Sequence, residues 1–414
     1  MFLIEKIKKS FLPFYRLSKT KKILSILNQE KQRQAMFVGG CVRKYILNEK
    51  IDDIDIATTL TPDAIIKKFQ NSDIEVKKTG IDHGTLTLIF ENQKFEITTL
   101  RQDTFTDGRH ANVEFTEDWI EDSKRRDFTI NSIYLDFKGK IFDPQSGLED
   151  LKNGRVKFIG DPNKRIKEDY LRILRFLRFS IQYKSFDIDH QTQKFIKLNL
   201  PGIAKLSKER IYSELEKIIK LENFHDIFKS DFLFEIFKLI YPELLYVERI
   251  KQLKKLIGTK NFIPIKELVL PLMLLDNNNN HQYFIHKYNV SNETKRILSL
   301  YADLLNQVKS NKNFFAEELK KNIFLYKKEN IKKIFILNNL IQKKSLGQKA
   351  QEVFSKINNV SIPKFPVNGN DLIKYGVKSG KKFGKILKLI EKKWLENNFD
   401  IKTEEIKELI KRNI

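Results

Sequence analysis

The chain has 414 residues, 41% of them hydrophobic, and its 77 Lys and Arg against 53 Asp and Glu give a formal net charge of +24. This length and apolar content exclude a disordered chain and predict several packed units, while the charge favours an extended polyanion such as nucleic acid as a partner. Lys, Ile, Asn and Phe are all abundant, which is the composition that an AT-rich genome imposes. Such a genome alone can produce many lysines, so the positive charge supports a nucleic-acid partner but does not establish one.

The cysteine and hydropathy patterns bear on the compartment. Cys41 is the one cysteine, which excludes intramolecular disulfides and thiolate zinc clusters and predicts a reducing, cytoplasmic location. The longest apolar run, LVLPLMLL at 268–275, is far shorter than the roughly 18 residues of a membrane span. We therefore expect no membrane partner.

The predicted elements begin with a helix over 18–35 and a short apolar strand over 36–38. A Gly39-Gly40 turn follows, and the pattern then predicts a helix over 41–47. Glycines lack a Cβ atom, so the backbone amides of this turn can approach an anion closely, and a helix N-terminus adds a favourable field. The stretch predicts an anion-binding turn.

A second strand is predicted to carry Asp53 and Asp55 on one face, because strand side chains alternate and Ile54 points to the core. Two adjacent carboxylates repel each other unless a cation lies between them, and an oxygen-rich site suits magnesium. These aspartates could instead be ordinary turn and N-cap residues. The order of a Gly-Gly turn, a helix bearing Arg43 and then a carboxylate pair favours a site for a metal-bound triphosphate.

Further strands are predicted at 74–78, 85–91 and 94–100, after a helix that ends near Phe69. This alternation predicts a mixed α/β sheet. Glu96 lies on the last of these strands and is a possible third carboxylate or an ordinary strand residue. The polar segment Thr104–Glu117 predicts a mobile loop beside the site.

The segment RRDFTINSIYLD over 125–136 predicts a helix with Arg125 and Arg126 at its start. Paired arginines are often only solvated. A guanidinium nevertheless offers a fixed charge and forked donors that suit a triphosphate, so Arg126 is a candidate nucleotide contact.

From about residue 164 onward nearly every segment has a helical pattern, and the first predicted helix is RIKEDYLRILRFLRFS over 165–180. Its spacing places Asp169 and Arg172 on one face, where they are either an ordinary ion pair or a base-reading pair. Cytosine and adenine both present an amino donor beside a ring-nitrogen acceptor, whereas uracil and guanine present the reverse. A carboxylate beside a guanidinium would accept C and A and leave buried groups unpaired against U and G, at about 1–3 kcal/mol each.

Several motifs follow one another over residues 36–220: GGCVR with DDIDIA, HGT, EITTLR, RRDFTINSI, EDYLRILRFLRF and LSKERIYSELEKII. In this order they resemble the motifs of the class II tRNA nucleotidyltransferases, the CCA-adding enzymes, and of their sister group, the bacterial poly(A) polymerases. The resemblance implies an α/β head with the nucleotidyltransferase fold and a mixed β-sheet, followed by all-α neck, body and tail domains. The expected boundaries are 1–155 for the catalytic head, 156–225 for a base-recognising neck, 226–325 for the body and 326–414 for a tRNA-binding tail.

The resemblance also implies roles for individual residues. Asp53 and Asp55 become the catalytic magnesium ligands, and Gly40, Arg43 and Arg126 become contacts to the incoming triphosphate. Asp169 and Arg172 become the base-reading pair, with Arg175 and Arg178 as further nucleotide contacts. Lys44 departs from the family, which usually has an acidic residue after this arginine, and the departure concerns local packing rather than the chemistry.

The function implied is template-independent addition of CCA to the 3′ end of tRNA from CTP and ATP, with magnesium. A poly(A), CC-only or A-only polymerase is the alternative within the family. A catalytically silent RNA-binding protein is the alternative outside it, and the intact carboxylate pair argues against that reading.

Overall fold

The computed structural model describes residues 13–106, 111–253, 266–276, 279–344, 348–377 and 380–413. The chain divides into two compact units, Met1–Pro242 and Glu243–Ile414. These two units do not decide where the four expected domains begin and end, so the four-domain division stays a prediction. No helix within the described ranges is long and apolar enough to cross a membrane.

The strands of the first unit are β1 (Ala35–Val38), β2 (Ile54–Thr58), β3 (Glu75–Gly80), β4 (Thr85–Phe90), β5 (Gln93–Thr99), β6 (Arg101–Thr106), β7 (Ala111–Phe115), β8 (Tyr134–Leu135) and β9 (Ile141–Phe142). In the described part of the chain, seven of them form one sheet in the order β3-β4-β5-β2-β1-β8-β9. β2 and β5 are parallel, whereas β1 is antiparallel to both β2 and β8. The predicted mixed α/β sheet is therefore confirmed.

The helices that accompany this sheet are α1 (Ser18–Leu27), α2 (Gly40–Ile46), α3 (Pro62–Phe69), α4 (Trp119–Lys124) and α5 (Gly147–Lys152). Side-chain caps fix where two of them begin. Thr61 accepts the backbone N–H of Ala64 at the start of α3, and Asp118 accepts that of Ile120 at the start of α4. The centre of the sheet is apolar and buried, as Phe37 and Ile56 show.

The rest of the first unit is helical, with α6 (Pro162–Glu168), α7 (Leu171–Tyr183), α8 (His190–Asn199), α9 (Lys208–Ile219) and α10 (Asp231–Ile240). The single helix predicted over 165–180 is wrong, because the backbone is extended at Asp169, with φ −156° and ψ 107°. Asp169 Oδ1 accepts the backbone N–H of Leu171 at 3.0 Å. Such a local side-chain bond competes with continuation of the helix.

In the described residues of the second unit the regular elements are all helices. Its helices are α11 (Ile250–Leu253), α12 (Lys266–Leu274), α13 (Asn280–Tyr288), α14 (Asn292–Ser310), α15 (Leu319–Tyr326), α16 (Lys328–Ile341), α17 (Gln348–Asn359), α18 (Gly369–Lys374), α19 (Lys381–Glu396) and α20 (Thr403–Lys411). One apolar cluster in this unit joins Leu372 of α18, Ile386 and Ile390 of α19, and Ile406 and Ile410 of α20. An all-α region after an α/β head is thus confirmed.

Three other predictions need correction. The helix predicted over 18–35 ends at Leu27, and β1 begins at Ala35. Arg125 does not begin a helix but is the C-cap of α4, which begins upstream where Asp118 is its N-cap. Much of the loop predicted over Thr104–Glu117 is a ribbon in which β6 and β7 pair. Residues 107–110 of that predicted loop lie outside the described residues.

Candidate active site

The Gly39-Gly40 turn lies against the carboxylate of Asp55. Gly39 has a φ of +72°, a conformation that residues with a side chain rarely adopt. A Cβ atom at Gly39 would lie 3.4 Å from Asp55 Oδ2, and one at Gly40 would lie 3.8 Å from the same oxygen. The backbone of the turn is therefore within reach of a ligand that also contacts Asp55.

Three carboxylates converge at this point. Asp53 immediately precedes β2, Asp55 lies within β2, and Glu96 is the residue of β5 that is in register with Asp55. Ile54 between the aspartates is buried in the core. Burial raises the pKa of the half-buried Asp55, and the charges of Glu96 and Asp53 add to this rise, while Arg43 opposes it. This local excess of negative charge makes a cation favourable here.

The donor set fits a metal that arrives with a nucleotide. Across the described ranges, no group of three or more His, Cys, Asp or Glu side chains is arranged to hold a metal ion by itself. Asp53 and Asp55 are hard oxygen donors, and ions of the magnesium type are commonly bound through one or two carboxylates together with substrate phosphates and water. The pair therefore suits such an ion once phosphate oxygens complete its coordination.

Lys44, the residue that departs from the family pattern, forms an ion pair with Asp52. Its Nζ lies 3.2 Å from Asp52 Oδ2, and Lys50 Nζ lies 3.6 Å from the other oxygen. Asp52 is adjacent to Asp53 in the chain. Lys44 thus connects α2 to Asp52, in the segment that leads into β2.

Arg43 is buried at the junction between α2 and α7. Its Nε donates to Tyr183 Oη at 2.8 Å, and its Nη1 donates to Asn131 Oδ1. The guanidinium carbon lies 5.1 Å from the centre of the Phe179 ring. These partners, together with the effect of Arg43 on the Asp55 pKa, place its charge between the carboxylates and α7.

Arg126 is held by Asp122, whose side chain is fully buried. Arg126 Nη2 donates to Asp122 Oδ2 at 2.9 Å, and Arg125 Nη2 lies 2.7 Å from Asp122 Oδ1. Tyr134 Oη donates to Asp122 Oδ2 at 2.8 Å. Burial alone would raise the pKa of Asp122, but the two arginines outweigh it and hold this pKa far below its usual range. Arg126 therefore has a fixed position and a permanent charge.

Asn131 and Asp127 connect the arginines of the head to those of α7. Asn131 accepts from Arg43 through its side chain and donates to Asp127 Oδ1 at 2.6 Å. Arg175 Nε donates to Asp127 Oδ2 at 2.7 Å. Burial would raise the pKa of Asp127, but Arg175 and the Asn131 hydrogen bond lower it to about 2. One connected polar network thus contains Arg43 and Arg175.

The predicted base-reading residues are each paired with a different group. Asp169 Oδ2 accepts from Arg210 Nη2 of α9 at 2.7 Å. Arg172 Nη1 donates to Glu168 Oε2 at 2.5 Å and to the Arg165 backbone carbonyl at 2.7 Å. Asp169 and Arg172 are linked through the backbone, where the Arg172 N–H donates to the Asp169 carbonyl.

Arg178 lies further along α7 and has a buried carboxylate partner. Its Nε donates to Glu214 Oε2 of α9 at 2.7 Å, and its guanidinium carbon lies 4.0 Å from the centre of the Phe179 ring. Burial lowers the pKa of Arg178 even though Glu214 opposes the shift. This pairing favours a role in joining α7 to α9, and a direct nucleotide contact by Arg178 stays a prediction.

The sequence did not reveal the acidic and amide partners that orient these arginines, nor the arginine that pairs with Asp169: Asp122, Asp127, Asn131, Glu168 and Glu214, and Arg210. Most of them lie inside the quoted motifs, so their positions were visible although their roles were not. Asp122 lies outside these motifs, and its one signal was the i, i+4 spacing to Arg126.

Comparison with known proteins gives two family matches and a series of relatives. A family model described as "Poly A polymerase head domain" matches residues 35–157, and one described as "Probable RNA and SrmB- binding site of polymerase A" matches residues 185–247. The mitochondrial CCA tRNA nucleotidyltransferase 1 of Mus musculus is 33% identical over 407 residues, which cover 94% of this chain and 89% of that protein. The CCA-adding enzyme of Ligilactobacillus salivarius is 30% identical over 410 residues, which cover 95% and 98%.

Solved structures agree with the fold. The CCA-adding enzyme of Bacillus stearothermophilus, in complex with CTP, has a TM-score of 0.67 at 24% identity and covers 95% of this chain and 96% of that one. The Thermotoga maritima CCA-adding enzyme, complexed with tRNA_CCA, has a TM-score of 0.58 at 20% identity and covers 95% and 94%. Because about a third of the residues are shared with curated relatives over nearly the full length of both chains, this chain belongs to the CCA tRNA nucleotidyltransferase, or CCA-adding enzyme, family.

Proposed function

We propose that this protein adds C, C and A to the 3′ end of tRNA from CTP and ATP in a magnesium-dependent reaction without a template. The observation that carries the proposal is the single polar network described above. It joins Arg43, whose charge acts on the Asp55 carboxylate beside the Gly39-Gly40 turn, through Asn131 and Asp127 to Arg175 of α7. Such a network can hold the reacting phosphates at one end and the base at the other.

Enzymes of this family require a divalent metal, and Asp53 and Asp55 are the residues that would hold magnesium. Bound there, the ion would lower the negative charge on the triphosphate and polarise the attacking hydroxyl. The 3′ oxygen of tRNA forms a bond to the α-phosphorus as the bond from that phosphorus to the pyrophosphate oxygen breaks. Arg126, fixed by Asp122, supplies permanent positive charge where the leaving pyrophosphate gains negative charge.

The orientation of Arg172 supports its proposed role in reading the base. Glu168 and a backbone carbonyl take up its Nη1 group. The contacts described for this side chain leave the Nε and Nη2 edge to donate to a ring nitrogen. Asp169 accepts one bond at each carboxylate oxygen, and each oxygen has a second lone pair for a base amino group.

The names of the relatives and one sequence feature of this chain support tRNA as the substrate. The curated relatives are named for CCA addition to tRNA, and the structural neighbours include complexes with CTP, with ATP and with tRNA. We propose that the Gly-punctuated, Lys-rich stretch at 365–394 grips tRNA phosphates.

A cytoplasmic location is also a proposal. Cys41 is a buried free thiol whose pKa is raised by burial to about 12. A chain with one cysteine forms no intramolecular disulfide, which fits a reducing environment. Three of the relatives are named as mitochondrial, and fractionation of cells that express a tagged chain would decide between the two compartments.

The deciding experiment gives the purified protein a tRNA transcript that lacks its CCA end, with magnesium and defined nucleotides. With CTP and ATP we expect three additions and then a stop, with CTP alone two additions, and with ATP alone one addition to a transcript that already ends in CC. Sequencing gels at single-nucleotide resolution measure each step.

The same gels distinguish the alternatives. A long ladder with ATP alone would indicate a poly(A) polymerase. A stop after CC with both nucleotides present would indicate a CC-only enzyme, and activity confined to transcripts ending in CC would indicate an A-only enzyme. Binding of tRNA without any addition would indicate a silent RNA-binding protein.

A further inference from the structure

Arg165 contacts both the backbone of Arg126, the proposed triphosphate contact, and the side chain of Glu168, which orients Arg172. It lies on α6 with a side chain only 11% exposed. Its Nη2 group donates to the backbone carbonyls of two consecutive residues, Arg125 and Arg126, the latter at 2.7 Å. Its Nη1 group pairs with Glu168 Oε2.

The Glu168 carboxylate is the shared partner in this arrangement. The same Oε2 atom that pairs with Arg165 also accepts from Arg172 Nη1 at 2.5 Å. Glu168 is the last residue of α6, and Arg172 lies in the first turn of α7, on the other side of the break at Asp169. This carboxylate therefore links α6 to α7 across the break, together with the bond from Arg172 Nη1 to the Arg165 backbone carbonyl at 2.7 Å.

We propose that Arg165 is a positioning residue that sets the selectivity for C and A over U and G, because it fixes the Arg172 guanidinium relative to the triphosphate-binding segment. The inference rests on the proposed function. A base is selected only if the donor edge is held at one distance from the phosphates, since a shift of about 1 Å is enough to lose a well-oriented interaction. Arg165 acts through Arg172 and does not itself contact the nucleotide.

The chemistry of a guanidinium suits this role. One planar group with five N–H donors can satisfy two carbonyls on one side and a carboxylate on the other at the same time. The ammonium group of lysine would reach either the carbonyls or Glu168, but could not hold both in a fixed geometry. We therefore expect Arg165→Lys to lose part of the function although the charge is kept.

The test compares Arg165→Gln and Arg165→Lys with Lys167→Gln, which removes an exposed positive charge from the same helix. The readout is kcat/KM for CTP, ATP, UTP and GTP on tRNA transcripts lacking CCA. For Arg165→Gln we expect the preference for CTP over UTP to fall about tenfold or more, which corresponds to about 1.4 kcal/mol. The preference for CTP over UTP should fall by less in Arg165→Lys, and in Lys167→Gln it should match that of the wild type.

A double-mutant cycle separates positioning from a merely structural role. If Arg165 acts through Arg172, Arg165→Gln should change selectivity little once Arg172→Ala is present, so the two effects are not additive. Additive effects, or a lower thermal stability with unchanged selectivity, would overturn the proposal. If Arg165→Gln does not fold, Arg165→Lys alone and in the Arg172→Ala background decides by the same criteria.

The wild-type enzyme separates this inference from the proposed function. If it adds no nucleotide, or adds all four equally, the proposed function itself fails. If it is selective and the Arg165 variants keep that selectivity, only the present inference fails.

Discussion

Asp55, the proposed catalytic carboxylate, carries an electrostatic cost in the metal-free protein. It is half-buried in register with Glu96, and burial and the neighbouring carboxylates raise its pKa. At neutral pH its ionised form therefore destabilises the fold unless a cation is bound. Asp122, by contrast, is fully buried between two arginines, and its ionised form is favoured. Loss of the charge is therefore expected to raise the thermal stability at Asp55 and to lower it at Asp122.

We expect Asp55→Asn to abolish nucleotide addition and to raise the melting temperature of the metal-free protein by about 1–3 °C, because the substitution removes repulsion from Glu96 and Asp53. Differential scanning calorimetry in EDTA and the addition assay measure the two effects. Asp122→Asn serves as the contrasting variant and should lower the melting temperature. If Asp55→Asn melted at a lower temperature than the wild type in EDTA, this account of the carboxylate site would be contradicted.

The turn and the carboxylates that the structure brings together were easier to predict than the partners that hold the arginines. The spacing of Gly40, Asp53 and Asp55 was informative because a phosphate site needs a backbone turn and oxygen ligands within a short stretch. The pairing of Arg210 with Asp169, by contrast, joins residues 41 positions apart, and no local pattern reveals it. Long-range ion pairs depend on how helices pack, which the single sequence does not specify.

At the scale of elements, the break between α6 and α7 is the main difference from the prediction. The apolar spacing of RIKEDYLRILRFLRFS continues through the break, so periodicity alone predicts one helix. The local bond from Asp169 to the Leu171 N–H and the extended backbone at Asp169 end α6 early. If Arg172 reads the base as proposed, the break matters because it separates Glu168 from Arg172 while their side chains stay paired.

The contact between α2 and β2 yields a prediction about Lys44. We expect Lys44→Asp to lower kcat/KM for CTP several-fold, because the reversed charge would face Asp52 and add to the negative charge beside Asp53. The double substitution Lys44→Asp with Asp52→Lys should restore most of the activity, since it rebuilds the pair in the opposite sense. Steady-state kinetics on a tRNA transcript lacking CCA measure both.

Lys50→Asp is the matched control, because Lys50 lies farther from Asp52 and is 81% exposed. Its effect should be smaller than that of Lys44→Asp. Thermal stability should change little in all these variants, since exposed ion pairs contribute about 0–1 kcal/mol. If the double substitution were as impaired as Lys44→Asp, the ion pair would not be what positions the entrance to β2.

At the scale of the whole molecule, the α/β head followed by helices could be predicted because strand alternation and helical spacing occupy different parts of the chain. The two compact units could not be predicted from these patterns. Helical periodicity continues on both sides of Pro242, and the sequence there has no run of glycine, proline or serine that would indicate a linker. A boundary inside a helical region is set by which apolar faces pack together.

The uneven distribution of charge over the last helices leads to a prediction about tRNA binding. Ile386 and Ile390 of α19 are buried, whereas Lys385 and Lys388 on the same helix are exposed. This helix has more lysines than glutamates. α20 instead alternates lysines with Glu404, Glu405 and Glu408, so its surface charge is more nearly balanced. Phosphate contacts are therefore expected from α19 rather than α20.

We expect Lys385→Gln with Lys388→Gln to weaken tRNA binding and to reduce the slope of log Kd against log salt concentration by about 1–2, because each lost phosphate contact releases about one counterion fewer. KM for CTP should be unchanged, since the proposed nucleotide site lies in the first unit. Lys407→Gln with Lys411→Gln on α20 removes the same charge and should leave the slope nearly unaltered. Filter binding over a range of salt concentrations measures the slope, and equal effects of the two pairs would mean that net charge, not contact with α19, attracts the tRNA.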